Sequence, residues 1–153
     1  MPSDIENIVL DSSIDFNGVS YTVSGISANT FKANTTILEI TIPKTLKDIG
    51  ANAFSNCTSI KRINYLGNIN EWVQINFNNS STASPFNHKG DNTKLYIEGE
   101  LVTNVKVTTA RSISSYAFYG YNYLKSIVIP GSVSEIGGHA FYGCESLSYV
   151  FIA

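Results

Sequence analysis

The chain is poor in the residues that would mark catalysis, metal binding or membrane insertion. Only two cysteines occur in 153 residues. Cys57 and Cys144 form neither a CxxC pair nor a zinc-ligand spacing, and a disulfide-dense scaffold is excluded. Histidine is equally scarce: His88 and His139 have no nucleophile, base and orienting acid converging around them. Paired carboxylates, a phosphate loop and a cofactor fingerprint are all missing, so no enzyme activity and no cofactor are expected. Charged residues make up 14% with a net charge of -2, which leaves no basic footprint for nucleic acid. No apolar run approaches the roughly 20 residues that span a bilayer, and no membrane insertion is expected. The opening "MPSDIENIVLD" has neither the basic nor the apolar region of a signal peptide. The chain is therefore expected to be secreted or displayed at a cell surface if a leader has been removed, and otherwise virion-associated or cytoplasmic.

What is present is a repeat. "ISANTFKANTTI" at 26 to 37 recurs as "IGANAFSNCTSI" at 49 to 60, "ISSYAFYGYNYL" at 113 to 124 and "IGGHAFYGCESL" at 136 to 147. Each copy sets an aliphatic residue five positions before a Phe (Phe31, Phe54, Phe118, Phe141) and another aliphatic eleven positions after the first. A fixed period of about 20 to 29 residues marks a solenoid, in which stacked coils bury what one coil alone cannot. Every copy runs into a short alternating segment: "ILEITIP", "IKRINY", "LKSIVIP" and "LSYVFI", with "VTNVKV" from 102 as a fifth. Alternation with β-branched residues and a closing Pro43 or Pro130 predicts short parallel strands. Ile40, Ile42, Ile63, Tyr65, Val105, Val107, Ile127, Ile129, Val150 and Ile152 then face the core, in about five coils.

The sequence of strand, Pro, then "xxIGxxAFxxC" resembles the BspA-type leucine-rich repeat, over nearly the whole chain. The resemblance implies a β-rich α/β solenoid, a right-handed leucine-rich-repeat horseshoe. It would carry a parallel β-sheet on one face and short strands with helical turns on the other. It also implies that the Phe and Cys of "AFxxC" fill space between coils. Cys57 and Cys144 share one repeat offset with Asn34 and Tyr121, where a catalytic nucleophile would not recur; both are expected to be structural thiols.

Two stretches depart from the period. Residues 65–101 read as an enlarged variant coil, resembling a recurrent form in the family. Asn68 or Asn70 caps a short helix carrying Trp72, Val73 and Ile75 inward, and "LYIEGELV" forms a hairpin turning near Glu98 and Gly99. Near the start, Asn17-Gly18 between alternating runs is a strong hairpin signal, and residues 1–25 are expected to cap the solenoid end. The expected organisation is one leucine-rich-repeat domain, 1–153, with regular repeats at 26–64 and 102–153.

Candidate binding residues come from positions the core does not explain. Tyr119 and Tyr142 share one offset after the buried Phe and are expected to lie side by side on adjacent coils. Outward strand positions pass from Lys61, Lys106 and Lys125 to Val128, Tyr149 and Phe151, and a solvated face has no need of the last three. His139 reads as a variable turn position, and His88 as part of a polar loop with Lys89 and Asp91. The expected function is non-catalytic: a binding or adhesion module of a microbial surface protein, contacting a protein or glycan surface. The alternative is a structural or receptor-binding component of a phage virion or other assembly. The strand at 147–153 carries no Pro or outward charge, so this edge is expected to be covered, by further repeats, by self-association with a second copy, or by a larger assembly.

Overall fold

The computed structural model describes residues 6–86 and 93–153; His88, Lys89 and Asp91 lie outside them. The first strand, β1 (Asn7–Val9), precedes the hairpin β2 (Ser13–Phe16) and β3 (Val19–Thr22). A short strand β4 (Gly25–Ile26), the strand β5 (Glu39–Ile42), a second short strand β6 (Asp48–Ile49) and β7 (Arg62–Tyr65) follow. The variant coil holds helix α1 (Ile69–Trp72), a 3-10 turn at Ser81–Ala83, then β8 (Lys94–Ile97) and β9 (Glu100–Leu101). The last third contains β10 (Asn104–Lys106), the short β11 (Ser112–Ile113), β12 (Ser126–Ile129), the short β13 (Glu135–Ile136) and β14 (Tyr149–Ile152).

The long strands stack in parallel, as the repeat requires. Glu39 lies opposite Arg62, and Ser126 opposite Tyr149, each 23 positions on. Because side chains alternate across a strand, one face of this stack is core: Ile40, Ile42, Ile63, Tyr65, Val105, Val107, Ile127 and Ile129 are all buried. Short strands pair on the other side of each coil, β4 with β6 and β11 with β13.

The "IGxxAFxxC" block resolves into four physical requirements. Gly50 and Gly137 sit where the next-lower coil passes: a Cβ on them would lie 2.8 Å from Ala28 Cα and 2.7 Å from Ser115 Cα. Three positions past each leading aliphatic the backbone turns left-handed, at Asn29 (φ 63°), Asn52 (59°), Tyr116 (64°) and His139 (59°). It does so again at Ala33, Asn56, Gly120 and Gly143, which is why Asn and Gly recur there. Phe rings stack between coils, Phe31 on Phe54 at 5.5 Å and Phe118 on Phe141 at 5.9 Å. The cysteine thiol donates to the carbonyl of the Phe one coil back: Cys57 to Phe31 at 2.8 Å, Cys144 to Phe118 at 3.0 Å.

The single sheet that the sequence predicts is two sheets. β1, β5, β7 and β8 pair in parallel, and the sheet then ends on β9, which turns back antiparallel to β8. β10, β12 and β14 form a second sheet. The cause is the hairpin the sequence predicts at Glu98 (φ 54°) and Gly99 (φ 80°), a type I′ turn that interposes β9 where β10 would otherwise pair. The junction is filled from the cysteine offset. Tyr121 stands there instead of Cys, fully buried; its hydroxyl donates to Val102 O at 2.7 Å and accepts from Leu95 N at 3.3 Å.

The variant coil is stitched to its successor in the same way. Asn68 caps α1 through a capping box with Glu71, while Asn70 turns the other way. Its side-chain Oδ1 accepts from the backbone N–H groups of Thr108, Thr109 and Ala110. Trp72 is buried and donates to Ala117 O at 3.1 Å.

The ends depart from expectation. The Asn17-Gly18 hairpin forms, with both turn residues at positive φ, but all eight of its strand residues are exposed. The residue pairs Ile14 with Tyr21 and Phe16 with Val19 put four apolar side chains on one side of it. The first sheet instead begins at β1, whose Asn7 lies opposite Glu39, 32 positions on. The hairpin is thus an insertion within the first coil, and it hid β1 from a search for a 23-residue period. At the other end Val150 and Ile152 keep the core register, opposite Ile127 and Ile129. They are exposed, Ile152 at 66%, because no further coil lies over them.

Candidate functional site

Two groups of outward side chains are built by the stack. On the second sheet, register puts Lys106, Val128 and Phe151 on one rung and Asn104, Ser126 and Tyr149 on the next. Tyr149 and Phe151 are 56% and 48% exposed, and Lys125 stands exposed at the entry to β12. Six of the seven sequence-derived candidates therefore fall into place in groups: Lys106, Lys125, Tyr149 and Phe151 lie on or beside one face, while Tyr119 belongs with Tyr142 elsewhere. Lys61 is separated from them, on the first sheet beside Arg62.

Tyr119 and Tyr142 stack at 5.2 Å with an interplanar angle of 12°. The sequence reading of this pair missed its extension: Tyr116 and His139, at the left-handed turn position, stack at 5.2 Å and 7°. Tyr116 also lies 5.3 Å from Tyr119, and His139 5.7 Å from Tyr142, which closes a block of four rings. The signal was available, since both turn positions share one repeat offset; the clue was masked by one being Tyr and the other His. Tyr142 and His139 are exposed, whereas Tyr116 and Tyr119 are half-buried.

The first sheet carries a feature the sequence reading did not find. A groove of about 450 Å³ lies beside the β8–β9 turn, lined by Thr41, Arg62, Asn64, Tyr65, Leu66, Tyr96, Glu98 and Gly99. The Arg62 guanidinium rests 3.7 Å over the Tyr96 ring, and its Nε donates to Asn64 Oδ1 at 2.6 Å. Asn64 in turn donates to the carboxylate of Glu39 and, at 3.4 Å, to Thr41 Oγ1.

The thiols offer no nucleophile. Burial pushes Cys57 above its ordinary pKa and Cys144 up to about 12, outweighing the backbone hydrogen bonds that act in the opposite direction. Both are free thiols, Cys57 buried and Cys144 half-buried. Among the described residues, no three His, Cys, Asp or Glu side chains gather to hold a metal, and no helix is long and apolar enough to cross a membrane.

Stacked coils with parallel strands on one side, inter-coil Phe ladders and cysteine-to-carbonyl bonds define a leucine-rich-repeat solenoid. More narrowly, the chain belongs to the BspA-type leucine-rich-repeat family: the family model, a BspA type leucine rich repeat region, matches residues 4–106 and 92–153 in six copies. Among curated proteins nothing matches. Among solved structures the chain is similar to a leucine-rich repeat protein from Bacteroides ovatus, with 28% identity and a TM-score of 0.56, over 95% of this chain and 33% of that one. The leucine-rich repeat protein of T. pallidum is 21% identical with a TM-score of 0.51, over 97% of this chain and 58% of that one. A leucine rich cell surface protein from Faecalibacterium prausnitzii is 20% identical with a TM-score of 0.49, over 97% of this chain and 48% of that one. The chain spans less than two thirds of the length of each of these three.

Proposed function

We propose that the chain is a non-catalytic protein-recognition module, acting in adhesion at a microbial surface, with the outer face of the second sheet as its contact surface. The observation that carries this reading is the rung Lys106, Val128, Phe151 with Tyr149 beside it. These apolar and aromatic groups have no core to fill. Exposed aromatic residues are the composition of interface centres, where rigid rings give large contact area at low entropy cost, and Lys106 and Lys125 fit the polar rim around them. The block of Tyr116, Tyr119, His139 and Tyr142 is a second contact element, on the turns of the same two coils. Lys61, on the other sheet, has a peripheral role. The exposed Val150 and Ile152 also favour pairing of β14 with another strand, from later coils or from a second copy.

The test is capture from epithelial-cell and mucin extracts by the protein, by a Tyr149→Ser/Phe151→Ser variant, by a Tyr119→Ala/Tyr142→Ala variant, and by an Asp15→Asn control on the polar side of the hairpin. A partner retained by wild type and control and lost by the Tyr149/Phe151 variant supports the assignment. Equal capture by all four overturns it.

A further inference from the structure

The groove on the first sheet has the parts of a built anion site, and its chemistry is narrower than a basic patch. Arg62 and Lys94 face each other across β7 and β8 as directly paired residues. Like charges in that position repel. Each is held by an aromatic ring, Arg62 over Tyr96 at 3.7 Å and Lys94 over Tyr123 at 5.5 Å. A guanidinium carries five N–H donors. Among the described residues one of these is used, from Nε to Asn64, and the two terminal nitrogens of Arg62 have no acceptor. Asn64 is itself fixed by donating to Glu39 and Thr41, so it cannot swing away. The result is a guanidinium clamped on one face and one edge, with its fork left for a carboxylate. The remaining lining sets the limits. Leu66 and Tyr96 supply apolar walls, while Glu98 at the turn and Glu39 along the rung disfavour a ligand dense in negative charge.

We propose that this groove binds one carboxylate of a partner polypeptide, an Asp or Glu side chain flanked by apolar residues, with Arg62 as its bidentate donor and Asn64 and Tyr96 as positioning residues. The inference deepens the recognition reading above and rests on it, adding a subsite on the other sheet.

The test is a titration followed by the nitrogen-proton signals of the Arg62 Nε and Asn64 side chains, using the capped peptide acetyl-Leu-Glu-Leu-amide. Saturable shifts are expected, with binding weaker by roughly tenfold for the Gln counterpart and for Arg62→Lys, which keeps the charge but loses fork and stack. Arg62→Ala should abolish the response, and Lys32→Ala, at an exposed position outside both contact surfaces, should leave it unchanged. N-acetylneuraminic acid, a sugar-borne carboxylate, should bind more weakly than the peptide; the reverse order overturns the peptide assignment. Equal responses to the Glu and Gln peptides, or none up to about 10 mM, overturn the site itself. If that happens while capture still depends on Tyr149 and Phe151, the recognition reading stands without this groove.

Discussion

Replacing Tyr121 with Cys would give its coil the residue that Cys57 and Cys144 supply in theirs, and the structure requires that this repeat-matching change be destabilising. The Tyr121 ring is packed 4.7 Å from Phe86, 5.9 Å from Tyr123 and 6.1 Å from Phe118. Truncating a buried aromatic costs about 3–5 kcal/mol through lost transfer energy and the cavity left behind. The hydroxyl satisfies Val102 O and Leu95 N, and leaving such buried groups unpaired costs about 1–3 kcal/mol. The two losses overlap, because a cavity that admits water re-solvates both groups. The sum is about 4–6 kcal/mol, against a typical total stability of about 5–15 kcal/mol. Tyr121→Phe isolates the hydroxyl at about 1–3 kcal/mol. Urea unfolding followed by both Trp72 fluorescence and far-ultraviolet dichroism measures these values and locates the damage. Trp72 lies 5.9 Å from Phe86 and bonds Ala117, so it reports the junction between the sheets. In Tyr121→Cys the fluorescence transition should precede the dichroism transition, as the halves of a solenoid uncouple. Coincident transitions, within about 1 kcal/mol of wild type, would refute the bridging role.

Ala33→Gly should stabilise by about 1 kcal/mol: Ala33 holds a left-handed φ of 59°, where Gly120 and Gly143 stand in other coils, and a calorimetric melt should move up by about 2–4 °C. Thiol labelling in native conditions should be slow at Cys144 and slower at Cys57, and complete for both in denaturant, because burial raises both pKa values and hides the sulfurs. Stability should fall with alkaline pH. Cys57, Cys144, Tyr65 and Tyr121 all have folded pKa values above their ordinary ones, mainly from burial, so the unfolded chain releases these protons first. Their contribution is complete below pH 9 and is lost as pH rises from there through about 12, the folded value for Cys144. Urea midpoints that rise between pH 9 and pH 11 would contradict the assignment.

The regular coils were legible because their causes are local and recur. Positions such as Gly50, Asn52, Phe54 and Cys57 each answer one requirement of coil stacking, and four copies show it four times. The variant coil was legible in its parts: Asn68 as cap, Trp72 inward, Glu98-Gly99 as turn. Its consequence was not, because whether a hairpin sits beside a sheet or ends it depends on which strand occupies the next hydrogen-bonding edge. β9 takes that edge from β10 through backbone groups, which carry no residue signature. β1 was missed for a related reason: "NIV" is three residues long and stands 32 positions from its partner, while the regular steps between repeat copies, 26 to 49 and 113 to 136, are 23.

The same limit explains why the groove around Arg62 was not found while Tyr119 and Tyr142 were. The tyrosines share one offset on coils of equal length, so period alone places them side by side. Arg62 meets Tyr96 diagonally, one rung along from its paired residue Lys94, and the two are separated in sequence by most of the variant coil. Finding that contact requires the register of β7 against β8, in which Arg62 is opposite Lys94, 32 positions on. The two 32-residue intervals in the first sheet come from different insertions, a hairpin in one coil and a helix with a loop in the other. A solenoid tolerates such growth where the chain leaves the sheet, since each coil needs only its core strand to stay in register with its neighbours. The groove lies where an insertion breaks the period: the β8–β9 turn ends the sheet, and its Glu98 and Gly99 line the groove together with Arg62.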